Sequence, residues 1–369
     1  MKFSAPRDSF AAAAQASVRA VLAKSTVPAL TGMLLTAAGE GVTLTGTDLE
    51  LGIESYSEAQ ISEEGQALLP ARYLVSIVRS LPPGNVTLAS DESEERVLVT
   101  AGSSRFELLT LPAADFPAVV PTGALEVARL PEAALRGLIQ LVSFAAARDG
   151  LRQLLASVLF SLQGESLRLV ATDGHRLAIA ESAFPLAGAQ GEYLVPARSL
   201  EELARLAGGA GEVSIATAGN QLIFRTASST LVSRLVEGKY LPYETVLPRE
   251  YTLRAQVKRL EFLAALERAE LFAAEKMNAI HLRVHADGIG ILAQSAEVGR
   301  LEEELPATVE GGELEISFNG RYLIEPLRIL SAEEVVLSFT GPESAAVLSL
   351  PGPSGYRYLV MPVTVRAAV

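Results

Sequence analysis

The chain has 369 residues, is 49% hydrophobic and 20% charged, and carries a formal net charge of −12, enough material for two or three domains that each bury a core. Zero cysteines exclude disulfides, thiolate nucleophiles and cysteine-ligated zinc, and three histidines leave little for a histidine-rich metal site. The acidic balance argues against a protein that coats phosphates by bulk attraction. No apolar run reaches the roughly 18 residues of a membrane span, and the start MKFSAPRDSF lacks a secretory pattern; a cytoplasmic protein with no membrane partner is expected.

In chain order, amphipathic helical patterns fall at 7–24, 71–81, 131–148, 197–207, 257–274 and 320–330, separated by alternating strand patterns. Pro131 suits the first turn of its helix, and SLPPGNV supplies turn chemistry after the second. Pro326 lies inside the last pattern and predicts a kink or an early stop. The six segments hold 14 Lys/Arg against 8 Asp/Glu by count, so basic helices sit on an acidic body. Such a surface meets a polyanion without holding it tightly.

An internal repeat organises these elements. LLPARYLVSIVRSLPPGNVTLA, YLVPARSLEELARLAGGAGEVSIA and ISFNGRYLIEPLRILSAEEVVLSF align on Arg72, Arg198 and Arg321, at intervals of 126 and 123 residues. GVTLTGTDLELGI, SLRLVATDGHRLAIA and GIGILAQSAEVGRLEEEL agree in phase. The expected fold is therefore α+β and dominated by antiparallel sheet, in three repeated domains at 1–122, 123–249 and 250–369.

Several motifs invite a chemical reading. His281 and His285 are four apart, but AIHLRVHADGIGILA alternates as a strand, which separates them. LAGGAGEV and PGPSGY lack the context of a phosphate cradle and read as turns. In VATDGHRLA, Asp-Gly between alternating runs signals a tight hairpin, which gives Asp173 a structural task. A hydrolase using Asp173 and His175 is the alternative, with Thr172 as the nearby hydroxyl. A scaffold that never meets DNA is a second alternative.

Five segments carry a family resemblance: LTGTDLE (44–50), RFELLTLPAADFP (105–117), VATDGHRLA (170–178), LVEGKYLPYETVLP (235–248) and YRYLVMPV (356–363). Together they resemble the bacterial sliding clamps, the beta subunits of DNA polymerase III. The resemblance implies a non-catalytic processivity factor without cofactors: a head-to-tail homodimeric ring around double-stranded DNA, with helices lining the hole and sheets outside. Units of ~120 residues are roughly 35 Å across, so about six would surround a duplex on the order of 20 Å wide. It also implies exchange of the clamp loader, the polymerase alpha subunit, translesion polymerases and repair factors at one pocket per chain, and a nucleoid-associated location.

Carried over by position, the partner-peptide pocket comprises Leu155, Thr172, Gly174, His175, Arg176, Leu177, Pro242, Val246, Val360, Met361, Pro362 and Val363, with Met277 at its edge. An apolar cleft with a few polar anchors suits a short linear motif, and micromolar affinity, roughly −8 kcal/mol, would permit exchange. DNA contacts fall on Lys24 and Arg152, with Arg72, Arg148 and Arg198 as neighbours. The subunit interface pairs Arg96, Arg105, Phe106 and Leu108 with Leu271, Phe272, Glu302 and Glu303. The chain departs from the family pattern at Gln153 and Leu154, where some relatives carry aromatic residues. It departs again at Pro242, one position later than usual, and at Thr364, where arginine is common.

Overall fold

The computed structural model describes residues 1–364 apart from 92, 94, 149–151, 186–188, 274–277 and 296. Its helices are α1 (Arg7–Ser17), α2 (Ala71–Ser80), α3 (Glu132–Val142), α4 (Ala197–Leu206), α5 (Arg259–Glu270) and α6 (Gly320–Ile329). The first four each follow a proline, Pro6, Pro70, Pro131 and Pro196, that is the last residue of a strand. Proline donates no ladder hydrogen bond and its fixed φ admits a helix next, so one residue closes the strand and opens the helix. Pro131 accordingly stands just before α3, one position earlier than the sequence pattern suggests.

Two compact units divide the chain. The first comprises Met1–Arg136 with Arg198–Leu235. It holds a five-stranded sheet, in the order Gln60–Glu63, Lys2–Pro6, Asn85–Ser90, Arg96–Ala101, Ser104–Leu109. It also holds an eight-stranded sheet running from Leu125–Pro131 through Glu212–Ala218, Gln221–Arg225, Ser229–Arg234, Leu51–Glu58, Gly41–Thr47 and Gly32–Ala38 to Gly65–Pro70. Phe3, Phe10, Met33, Leu35, Leu44, Leu74 and Val99 form its core. α1 lies close over the Gly41–Thr47 strand because Gly46 has no side chain: a Cβ there would stand 2.3 Å from the Ser17 carbonyl oxygen. The buried Ser17 hydroxyl donates to the Leu44 carbonyl at 2.6 Å at the same crossing.

The second unit comprises Gly137–Ala197 with Val236–Val369. Its nine-stranded sheet begins Ala189–Pro196, Ser157–Gly164, Ser166–Thr172, Arg176–Ala183, Tyr356–Val360 and ends Ala346–Ser349, Glu334–Phe339, Leu253–Lys258, Thr308–Gly311. A four-stranded sheet is ordered Gly299–Pro306, Gly288–Ser295, Ala279–His285, Leu314–Asn319. His281 and His285 lie on the Ala279–His285 strand, where His281 bonds Ser317 at 3.0 Å and His285 bonds Glu304 at 3.0 Å.

All of the strand pairs described are antiparallel, and the two long sheets cross the repeat boundaries. Ser229–Arg234 of the second repeat pairs with Leu51–Glu58 of the first, and Tyr356–Val360 of the third pairs with Arg176–Ala183 of the second. Three sequence repeats therefore condense into two packing units.

α6 departs from expectation by running through Pro326 to Ile329. Proline at that position leaves the Tyr322 carbonyl without its helical donor. The Tyr358 hydroxyl fills the gap, donating to the Tyr322 oxygen at 2.7 Å, so the helix continues.

Candidate partner-peptide site and the sliding-clamp family

The site is built on the hairpin between Ser166–Thr172 and Arg176–Ala183, in which Thr172 pairs with Leu177. Asp173 Oδ1 accepts from the backbone N–H groups of His175 (2.9 Å) and Arg176 (3.1 Å). The Thr172 hydroxyl donates to the Arg176 carbonyl at 2.6 Å and accepts from Gly174 N–H at 3.1 Å. Gly174 adopts φ +93°, which glycine reaches without a Cβ penalty. Asp173 and the Thr172 hydroxyl, two of the three groups that an acid/base reading would recruit, are thus committed to the turn.

The turn sends consecutive side chains in opposite directions: His175 is exposed, whereas the Arg176 side chain is only 7% exposed. Beneath the surface the Arg176 guanidinium donates to Asp173 Oδ2 (3.0 Å), to the Phe144 carbonyl (2.8 Å) and to Glu325. It also lies 4.5 Å from the Tyr322 ring centroid and 5.5 Å from that of Phe144. Burial acts to lower its pKa, but Tyr358, Glu325 and Asp173 outweigh that and hold it above the ordinary arginine value. Arg176 therefore braces the turn from beneath, holding it to Phe144 and Glu325.

The C-terminal strand completes the surface. Leu177 pairs with Leu359 and Arg176 with Val360. Past the strand end, Met361 N–H donates to the His175 carbonyl at 2.9 Å, which sets Met361 beside the turn, and two residues on Val363 N–H donates to the Ser317 carbonyl at 2.8 Å. Leu177 and Leu359 sit in a cluster with Tyr240, Val347, Leu154, Tyr243 and Leu247. Val246, in the Tyr243–Val246 turn, is 56% exposed and Met361 is 42% exposed. Next to these lies a cavity of about 460 Å³ lined by Leu154, Leu155, Val236, Leu241, Arg152 and Glu237, among others. Of the expected pocket, Leu155 alone among the described residues lines this cavity. Met277 lies outside the described residues. Phe144, Tyr322 and Glu325 were not marked by any motif, because their contribution is the long-range cage around Arg176.

The other expected surfaces are placed as follows. Lys24, Arg72, Arg148 and Arg152 are exposed. Arg198 instead reaches Asp48 Oδ2 at 2.5 Å and the Arg19 carbonyl at 3.0 Å. Arg105 points to solvent from the edge strand Ser104–Leu109, whereas Phe106 and Leu108 are half-buried against the first unit's core. Leu271 is 70% exposed and Phe272 half-buried. Arg96 lies 3.5 Å from Glu107, Glu302 bonds Arg300 at 2.6 Å, and Glu303 pairs with Arg268.

Repeated strand–helix units, sheets continuous across repeat boundaries and an exposed apolar site at one such boundary define a clamp-type protein. Family models for the DNA polymerase III beta subunit match in order: the N-terminal domain at 1–120, the central domain at 129–242 and the C-terminal domain at 244–364. The beta sliding clamp of Pseudomonas putida is 35% identical over 368 residues, covering 98% of this chain and 100% of the relative. The crystal structure of a Pseudomonas aeruginosa sliding clamp bound to griselimycin is 34% identical and superposes with TM-score 0.92, covering 99% of this chain and 100% of that one. The Bacillus subtilis clamp is 28% identical with TM-score 0.92 at the same coverage. The chain belongs to the DNA polymerase III beta subunit family. It is a DNA sliding clamp, a processivity factor with no catalysis of its own.

Proposed function

We propose that this clamp works as a head-to-tail pair of chains, each of three domains at 1–122, 123–249 and 250–369, closed around duplex DNA in the cytoplasm at the nucleoid. It is opened by a clamp loader, and the polymerase alpha subunit, translesion polymerases and repair factors exchange at the pocket built from Leu155, Thr172, Gly174, His175, Leu177, Pro242, Val246, Met277 and Val360 to Val363, over Arg176. Lys24 and Arg152, with Arg72, Arg148 and Arg198, make phosphate contacts that carry no sequence information, and Arg198 also bonds Asp48.

The observation that carries the pocket is the exposed apolar rim of Val246 and Met361 around a turn whose polar groups are already satisfied. Apolar side chains of a short linear segment suit such a surface. Griselimycin, the ligand of the P. aeruginosa clamp, is the probe. Val246→Glu and Met361→Asp place charges on this rim and are expected to weaken griselimycin binding by about ten-fold or more, about 1.4 kcal/mol. Their melting temperatures should stay near that of the parent, since both side chains are exposed. Unchanged binding in both variants would remove the pocket from this surface.

The subunit pairing follows from the repeat. Where two repeats meet, Thr230 pairs with Glu54 and Leu231 with Ile53. Ser104–Leu109 and Gly299–Pro306 are the corresponding strands that end their sheets. Continuing the same register between two chains sets Arg105 opposite Glu302, Phe106 opposite Leu301 and Glu107 opposite Arg300. Two of the three pairs are oppositely charged, which favours this register over its neighbours. Arg96, Leu108, Leu271, Phe272 and Glu303 flank the ladder.

A further inference from the structure

We infer that the first repeat carries a second copy of the partner-peptide pocket, held shut by the chain's own Val119, and that this closure limits each chain to one site. The inference rests on the pocket assigned above.

The turn at Thr47–Leu51 reproduces the Thr172–Arg176 turn atom for atom. Asp48 Oδ1 accepts from Glu50 N–H (3.1 Å) and Leu51 N–H (2.7 Å), as Asp173 does from His175 and Arg176. The Thr47 hydroxyl donates to the Leu51 carbonyl and accepts from Leu49 N–H, both at 3.0 Å. Leu49 takes φ +78° where Gly174 takes +93°. The neighbouring strand is likewise repeated: Arg234 N–H donates to the Glu50 carbonyl at 2.8 Å, as Met361 N–H does to His175. Even the guanidinium bridge recurs, because Arg198 joins Asp48 Oδ2 to the Arg19 carbonyl as Arg176 joins Asp173 Oδ2 to the Phe144 carbonyl.

Three differences close the first copy. Gly52 stands where Leu177 stands in the second, and Val119 fills the space, so that a Cβ on Gly52 would meet Val119 Cγ1 at 2.2 Å. The rim pair His175 and Met361 is replaced by Glu50 and Arg234, an ion pair at 3.3 Å that makes the mouth polar. The linkers differ in length as well: Pro117 to Pro121 spans five residues and Pro242 to Pro248 seven. The longer one makes the Tyr243–Val246 turn and lifts Val246 to 56% exposure. The shorter one lays Val119 and Val120 on the cluster of Ala216, Ile223 and Val232. What remains is a cavity of about 50 Å³ between Thr47, Leu49, Gly52, Val119 and Val232, against about 460 Å³ beside the second copy.

The parent chain has no cysteine, so Val119→Cys and Val246→Cys each introduce a single thiol. The Val246→Cys thiol is expected to react with a maleimide several-fold faster than the Val119→Cys thiol, since Val246 is 56% exposed whereas Val119 is partly buried against the cluster of Ala216, Ile223 and Val232. Griselimycin should protect the first thiol and leave the second unchanged. Comparable rates, or protection of both, would overturn the closure. In addition, the V119G/E50H/R234M variant should take up two griselimycin molecules per chain by calorimetry, against one for the parent. A folded variant that still binds one would refute Val119 and the ion pair as the lock. If the parent itself binds none, the failure belongs to the pocket assignment; if it binds one and the thiols react alike, the failure belongs to the closed copy alone.

Discussion

Arg176 bears its charge at 7% side-chain exposure, with Asp173, Glu325 and the Phe144 carbonyl all directed at one guanidinium. Removing a cation from such a cage leaves its acceptors unpaired in a poorly solvated place. Arg176→Ala is expected to cost about 3 kcal/mol, the lower end for a buried pair because Glu325 is 35% exposed. Arg176→Lys should recover little of it, since an ammonium matches neither the fork geometry nor the stacking on Tyr322. Urea unfolding of the two variants against the parent checks this, and a loss below about 1 kcal/mol in Arg176→Ala would show that the cage is not a structural support. The Asp-Gly turn that positions this residue was legible in the sequence, because Asp, Thr and Gly act on their own neighbours. The burial of Arg176 was not, because Phe144, Tyr322 and Glu325 reach it from distant parts of the chain. Arg198 shows the same limit: its place in an amphipathic helix suggests a free cation, yet Asp48 claims it from 150 residues away.

Helices and hairpins followed local pattern closely, and the departures have tertiary causes. α1 ends at Ser17, where the chain is pinned to Leu44, and α6 survives Pro326 because the Tyr358 hydroxyl serves the freed carbonyl. Periodicity cannot report a donor arriving from another strand. At the sheet edges the repeat itself is the guide, since two observed junctions set the register expected at a third. Arg105→Glu should weaken the two-chain assembly, as should Glu302→Arg, and mixing the two single variants should restore association at the oppositely charged pairing. Sedimentation of each variant alone and of the mixture tests the register; a mixture no tighter than the singles would place the pairing elsewhere. In the single chain Glu302 already bonds Arg300 at 2.6 Å, so assembly exchanges one ion pair for others. The gain is therefore of the modest size usual for exposed pairs, about 0.2–1 kcal/mol each.

For the molecule as a whole, the acidic charge of a chain that acts on DNA suits the proposed tether by topology, which asks of the exposed Lys24, Arg72, Arg148 and Arg152 only weak phosphate contact. The three-fold repeat, the α+β class and the family were readable from the chain, whereas the condensation into two packing units was not, since strands join sheets across repeat boundaries. The most direct test loads the protein with a clamp loader onto nicked circular DNA, removes free protein, and follows retention before and after a single cut linearises the circle. Retention on circles at moderate salt, followed by rapid loss once ends are available, is the predicted result. Retention unaffected by linearisation but abolished by salt would mark an ordinary phosphate binder and contradict the encircling clamp.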